Sequence, residues 1–133
     1  MVQELDVSEI VEVCSPAESV ELHPGEFLFQ EGDDAHALYV VKKGVLRVVS
    51  GSTLYETVRV GGIVGEMAIL DERTRSASVI AGTYCELLEI DVPEFLSLIA
   101  TNPRFALTVM RVMARRRRIM DQRYGRNSPA APV

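Results

Sequence analysis

The chain has 133 residues, 47% of them apolar and 25% charged, and a formal charge of −5. These figures fit one globular domain with its own hydrophobic core and exclude a disordered or membrane-embedded chain. No apolar run reaches the length of a membrane span, and the acidic start Met1-Val2-Gln3-Glu4-Leu5-Asp6 is unlike a signal peptide, so a cytoplasmic protein is expected.

From the N-terminus, Asp6-Val7-Ser8-Glu9 has the spacing of a helix capping box, and Ile10, Val11 and Val13 give the short helix behind it one apolar side. Ser15-Pro16 ends it. Short strands follow: Glu18 to Leu22, Phe27 to Gln30, Ala37 to Lys42, Val45 to Val49 and Thr53 to Val60, separated by turns at His23-Pro24-Gly25-Glu26, Glu31-Gly32-Asp33-Asp34, Lys43-Gly44 and Gly51-Ser52. Cys14 and Cys85 lack any metal-ligand spacing and are expected as reduced thiols in the core.

The series is interrupted by Gly61-Gly62-Ile63-Val64-Gly65-Glu66-Met67-Ala68-Ile69-Leu70. Three glycines let a backbone turn closely around a ligand. Glu66 to Leu70 is expected as one turn of helix whose first N–H groups have no partner within the helix and attract an anion. Asp71-Glu72-Arg73-Thr74 breaks this helix, and a strand is expected to resume at Arg75 and run to Ala81, with its first residues swung back over the turn. Arg75 then offers a two-pronged guanidinium to phosphate oxygens and Ser76 a hydroxyl. Glu66 fits such a site only where the ligand also brings hydroxyl donors, as a ribose does.

A last strand over Tyr84 to Ile90 is followed by helical periodicity. Asp91-Val92-Pro93-Glu94 starts a helix with an acidic N-cap and an early proline, and Phe95, Leu98 and Ile99 form its stripe. After Asn102-Pro103 a longer helix, Arg104 to about Tyr124, carries Phe105, Val109, Val112, Met113, Ile119 and Met120. Arg116 falls where an apolar residue would extend this stripe, which argues against a tight two-stranded coiled coil. Short strands between Gly, Pro and Asp turns, then helices, define the expected class: α+β, an antiparallel β-roll or jelly roll with a short N-terminal helix, a short helix after Gly65 and two C-terminal helices. The expected folded unit is residues 1–124, with 125–133 a flexible tail.

The order Gly-Glu-Met-Ala-Ile-Leu, a short acidic spacer, then Arg-Ser-Ala-Ser-Val resembles the phosphate-binding cassette of the cyclic nucleotide-binding domain family, of the catabolite activator and cAMP-dependent kinase regulatory-subunit type. The resemblance runs from about Val20 to the last helix. It implies Arg75 and the Ser76 hydroxyl on the cyclic phosphate and Glu66 on the ribose 2′-hydroxyl. Backbone N–H groups near Gly65, Glu66, Met67 and Ala68 and at Ala77 would surround the sugar-phosphate. The aromatic residue that often precedes the glycine-glutamate pair in this family is Val64 here. By the same resemblance Met120, Asp121 and Tyr124 lie nearest the purine, and the long helix closes over the base. The implied ligand is cyclic AMP or cyclic GMP, with cyclic AMP favoured, and the same helix could meet a second copy or another protein. No cofactor is implied.

Two other readings stand beside it. Residues 104–133 hold eight arginines against one acid, Asp121, so the basic end belongs on the acidic body, on a neighbouring subunit or on an acidic partner. DNA is disfavoured, because Arg115-Arg116-Arg117-Arg118 point in four directions about 100° apart around a helix. A metalloenzyme of the cupin type is disfavoured because His23 and His36 form no ligand pair, and no catalytic or metal-ligating residue is assigned. A ligand-free roll acting as a protein-binding scaffold is the remaining alternative.

Overall fold

A computed structural model describes residues 5–71 and 73–124, with side chains as far as Arg118 in the last helix; the tail expected over 125–133 lies outside the described residues. The chain folds as α1 (Val7–Cys14), β1 (Glu18–Leu22), β2 (Phe27–Phe29), β3 (Ala37–Lys43), β4 (Leu46–Ser50), β5 (Thr53–Val58), β6 (Ile63–Val64), α2 (Glu66–Leu70), β7 (Ser78–Ala81), β8 (Cys85–Asp91), α3 (Val92–Thr101) and α4 (Pro103–Tyr124). This is the expected α+β roll. Two antiparallel four-stranded sheets, ordered β1-β8-β3-β6 and β2-β7-β4-β5, face each other.

The run Ala37-Leu38-Tyr39-Val40-Val41 is apolar throughout because β3 is covered on both faces. Ala37, Tyr39 and Val41 point into the space between the sheets, with Leu22, Phe29, Val48, Val64 and Val79. Leu38 and Val40 point the other way, against a second core built with Ile10, Phe95, Phe105 and Val109 from the helices. Burying each of these aliphatic or aromatic side chains is worth roughly 1.5–3 kcal/mol. The helices are therefore a third layer on the outside of the β1-β8-β3-β6 sheet.

Local chemistry sets the helix ends. The Asp6 carboxylate accepts from the Glu9 N–H at 2.9 Å while Glu9 accepts from the Asp6 N–H, completing the capping box. Asp91 caps α3 by accepting from the Glu94 N–H at 2.9 Å. Phe95 and Phe105 lock α3 to α4 edge to face, with centroids 6.1 Å apart. The start of the chain is tied to α4 twice: the Leu5 N–H donates to Thr108 Oγ1 at 2.7 Å, and Arg104 pairs with Glu9 at 2.6 Å.

Two boundaries differ from expectation by more than one residue. The strand expected to reach Val60 stops at Val58, because the Gly62 N–H turns back to Arg59 O at 2.8 Å and Gly61 donates to Val41 O at 2.8 Å. This hands the chain to β3, beside which the unanticipated β6 pairs through Ile63 and Val64. The strand expected from Arg75 begins only at Ser78. Arg75 spends its backbone groups on the β2–β3 turn instead, donating to Asp33 O at 2.8 Å and accepting from Gly32 at 2.9 Å.

Candidate functional site

β6, α2 and the segment leading into β7 form one continuous bend, and Gly65 is its pivot. With φ of 90° it sits in the left-handed region that side chains disfavour, and a Cβ there would lie 2.7 Å from Arg75 Nη1 and 3.3 Å from Ala37 O. Glycine is thus required twice, for the turn of the backbone and for the close approach of Arg75.

The structure brings Arg75 back over the bend, as expected. Its side chain is buried, with Nη1 donating to Gly65 O at 2.8 Å and Nη2 to Ala37 O at 2.6 Å. The guanidinium lies over the Phe29 ring, 4.0 Å from its centroid. It makes no ion pair with a described residue; Glu66 and Asp33 act on it through space. Burial pulls its pKa below the ordinary arginine value, against those carboxylates. Its Nε is buried and has no hydrogen-bond partner.

Glu66, the first residue of α2, is fully buried. Oε1 accepts from Arg116 Nη1, and Oε2 is buried without a partner. Burial holds its carboxyl above the usual range, with the charge of Arg116 opposing. Val64, Ala68 and Ala77 are buried, Met67 is half-buried, and Ser76, next to Arg75 in sequence, is exposed. The candidate residues of this stretch are therefore gathered around one bend. Met120, Asp121 and Tyr124 fall in the last turns of α4, and their side chains lie outside the described residues.

Arg116 is the residue that sequence reasoning passed over as a flaw in an apolar stripe. It lies on the buried face of α4, in line with Phe105, Val109 and Val112, and is itself only 6% exposed. Its Nε and Nη2 donate to the two oxygens of Glu56 at 2.8 and 3.2 Å, Nη1 to Glu66, and Nη2 also to Ile63 O. Burial alone would lower its pKa, but Glu66 and Glu56 outweigh that and raise it, so it stays charged. The available signal was an arginine at helical spacing on a core-facing stripe, which must find buried acids. It binds the last helix to the carboxylate of the bend.

Chemically the bend offers a buried cation with a spare N–H donor and a buried carboxylate with a spare oxygen, on either side of Gly65. Such a pair fits a ligand that carries both an anionic acceptor and a hydroxyl donor. Among the described residues no cluster of three His, Cys, Asp or Glu is placed to hold a metal ion, and no helix is long and apolar enough to cross a membrane.

Comparison with known proteins gives the same direction. The sequence model described as "Cyclic nucleotide-binding domain" matches residues 19–102. A cAMP-dependent protein kinase regulatory subunit of Schizosaccharomyces pombe is 30% identical over 125 residues, 93% of this chain and 29% of its own length. The cAMP-activated global transcriptional regulator CRP of Salmonella typhimurium is 31% identical over 104 residues, 74% of this chain and 50% of its own. Among solved structures, the Thermus thermophilus catabolite activator protein superposes with a TM-score of 0.76 at 32% identity, covering 89% of this chain and 58% of that one. The chain thus spans half or less of the length of these two curated relatives.

Proposed function

This chain belongs to the cyclic nucleotide-binding domain family, and we propose that it is a sensor module that binds cyclic AMP in preference to cyclic GMP and signals through α4. The observation that carries the reading is the unmatched buried pair, the Arg75 Nε–H donor and the Glu66 Oε2 acceptor. A buried polar group without a partner costs about 1–3 kcal/mol, and a cyclic phosphate joined to a ribose offers an acceptor for the one and a hydroxyl donor for the other. Arg75 and the Ser76 hydroxyl take the phosphate, Glu66 Oε2 takes the 2′-hydroxyl, and the N–H groups of Gly65 to Ala68 and of Ala77 flank the sugar-phosphate over Val64. Two relatives named for cAMP at 30% and 31% identity support cyclic AMP as the ligand.

Because Arg116 holds Glu66 by Oε1 and leaves Oε2, the ribose can join the carboxylate while α4 stays attached. Ligand and lid then meet on one side chain. Met120, Asp121 and Tyr124 at the end of α4 cover the base, and the outer side of that helix meets a second copy or a partner protein. The folded unit is residues 1–124, its place is the cytoplasm, and its work is binding rather than catalysis.

Calorimetric titration with cyclic AMP, cyclic GMP and 5′-AMP tests the reading. Cyclic AMP should bind tightest and 5′-AMP weakest, since the open phosphate is a dianion longer than the ring-closed monoanion. No heat from any of the three up to millimolar concentration would overturn the assignment.

A further inference from the structure

A buried arginine is usually held by a carboxylate, and Arg75 is not. Its two Nη groups are pinned by the carbonyls of Gly65 and Ala37, and its flat side rests 4.0 Å above Phe29. Phe29 is itself buried and braced by Tyr39, whose ring centroid lies 6.2 Å away and whose hydroxyl donates to Glu89 Oε1 at 2.9 Å. Phe29 belongs to β2, 46 positions before Arg75, and β2 pairs with β7 in a register that places Phe29 opposite Val79. The ring is therefore fixed by the sheet, not by the bend it serves.

We propose that Phe29 is the positioning residue for the phosphate-binding arginine, holding its charge without neutralising it. A carboxylate in the same place would fix the guanidinium as well but would cancel the positive charge that an incoming phosphate needs. An aromatic face attracts the cation through its quadrupole and adds no net charge. Carbonyl oxygens do the same from the edge, so three neutral contacts set the plane of the guanidinium and leave Nε–H unsatisfied. This inference rests on the assignment of Arg75 to the phosphate, and it adds a residue outside the bend, which the sequence offers only as one aromatic in a strand.

The test is a cycle between Phe29→Leu and Arg75→Gln, read by cyclic AMP affinity. Phe29→Leu should weaken binding about three- to thirtyfold, the range of cation–π contacts from exposed to desolvated, while in the Arg75→Gln background the same change should cost less than about twofold. Phe29→Tyr, which keeps the ring, should restore binding. Equal losses in both backgrounds mean that Phe29 acts only through the core and overturn the proposal. A second measurement needs no nucleotide: in the ligand-free protein the Arg75 Nε–H resonance should be displaced by the Phe29 ring and exchange slowly, and both features should vanish in Phe29→Leu. If the displacement is absent from the wild type, the stack is refuted whatever the titrations show. If it is present and cyclic AMP does not bind, the stack survives and the ligand assignment falls.

Discussion

Glu66 shows how a side chain proposed to bind ligand opposes the stability of its own fold. A carboxylate stripped of water is disfavoured unless fully paired, and only one of its two oxygens is paired here. Its pKa is raised by burial, with the charge of Arg116 opposing, so the folded chain gives up this proton at a higher pH than the unfolded chain does. The stability this group contributes is then fully present below the ordinary carboxylate value and is lost as pH rises through the raised one. Glu66→Gln removes that titration. The melting difference between variant and wild type should move in the variant's favour as pH rises from 4 to 8, on top of a pH-independent cost of losing the charged partner of Arg116, when followed by calorimetry across that range. The same variant should bind cyclic AMP roughly tenfold more weakly, the worth of one charged hydrogen bond, yet lose much less affinity for the 2′-deoxy analogue. A constant melting difference at every pH contradicts the burial argument, and equal losses for the two ligands contradict the ribose assignment.

At the level of elements, what could be read in advance was whatever depends on neighbours in sequence. The capping box of α1, the proline start of α3, the run of β3 and the turn of α2 all follow from residues within a few positions of one another, and all are found. What could not be read depends on docking. The two-residue β6 exists only because β3 lies beside it. Arg75 leaves the strand because Gly32 and Asp33 compete for its backbone. Phe29 and Arg116 meet their partners across 46 and 50 positions or more, which no local pattern carries. Arg116 also makes α4 more than a packed helix. Arg116→Met extends the apolar stripe but leaves Glu66 without a partner on either oxygen, and breaking a buried pair from one side costs about 3–5 kcal/mol. Adding Glu66→Gln should recover much of that loss, a non-additivity of more than about 1 kcal/mol in urea unfolding. Simple additivity of the two changes rules out the latch.

Across the whole molecule α4 is a bar held at its start and again at Arg116. Arg104 and Thr108 fasten it to Glu9 and Leu5 at the start of the chain, and Arg116 fastens it to Glu56 and Glu66. From Arg104 to Arg116 the bar spans about 18 Å at 1.5 Å per residue. A ligand that changes what Glu66 offers Arg116 therefore acts on a helix whose start holds α1. The size of the effect is limited by the difference in affinity for the two positions of the helix, typically about 1–3 kcal/mol. Saturation separates binding from coupling. At about a hundredfold excess over Kd, cyclic AMP should stabilise the fold by about 2.7 kcal/mol, a rise in Tm of roughly 8–10 °C for a chain of this length. Hydrogen exchange then reports where that stability is placed. If α4 is the output, amides along Arg111 to Arg118 should slow together with those of the bend, and the Leu5 amide bound to Thr108 Oγ1 should change its protection although it lies in a different layer from Arg75. Slowing confined to residues 63–79 would mean that the ligand is held by the roll alone and that the helix carries no signal.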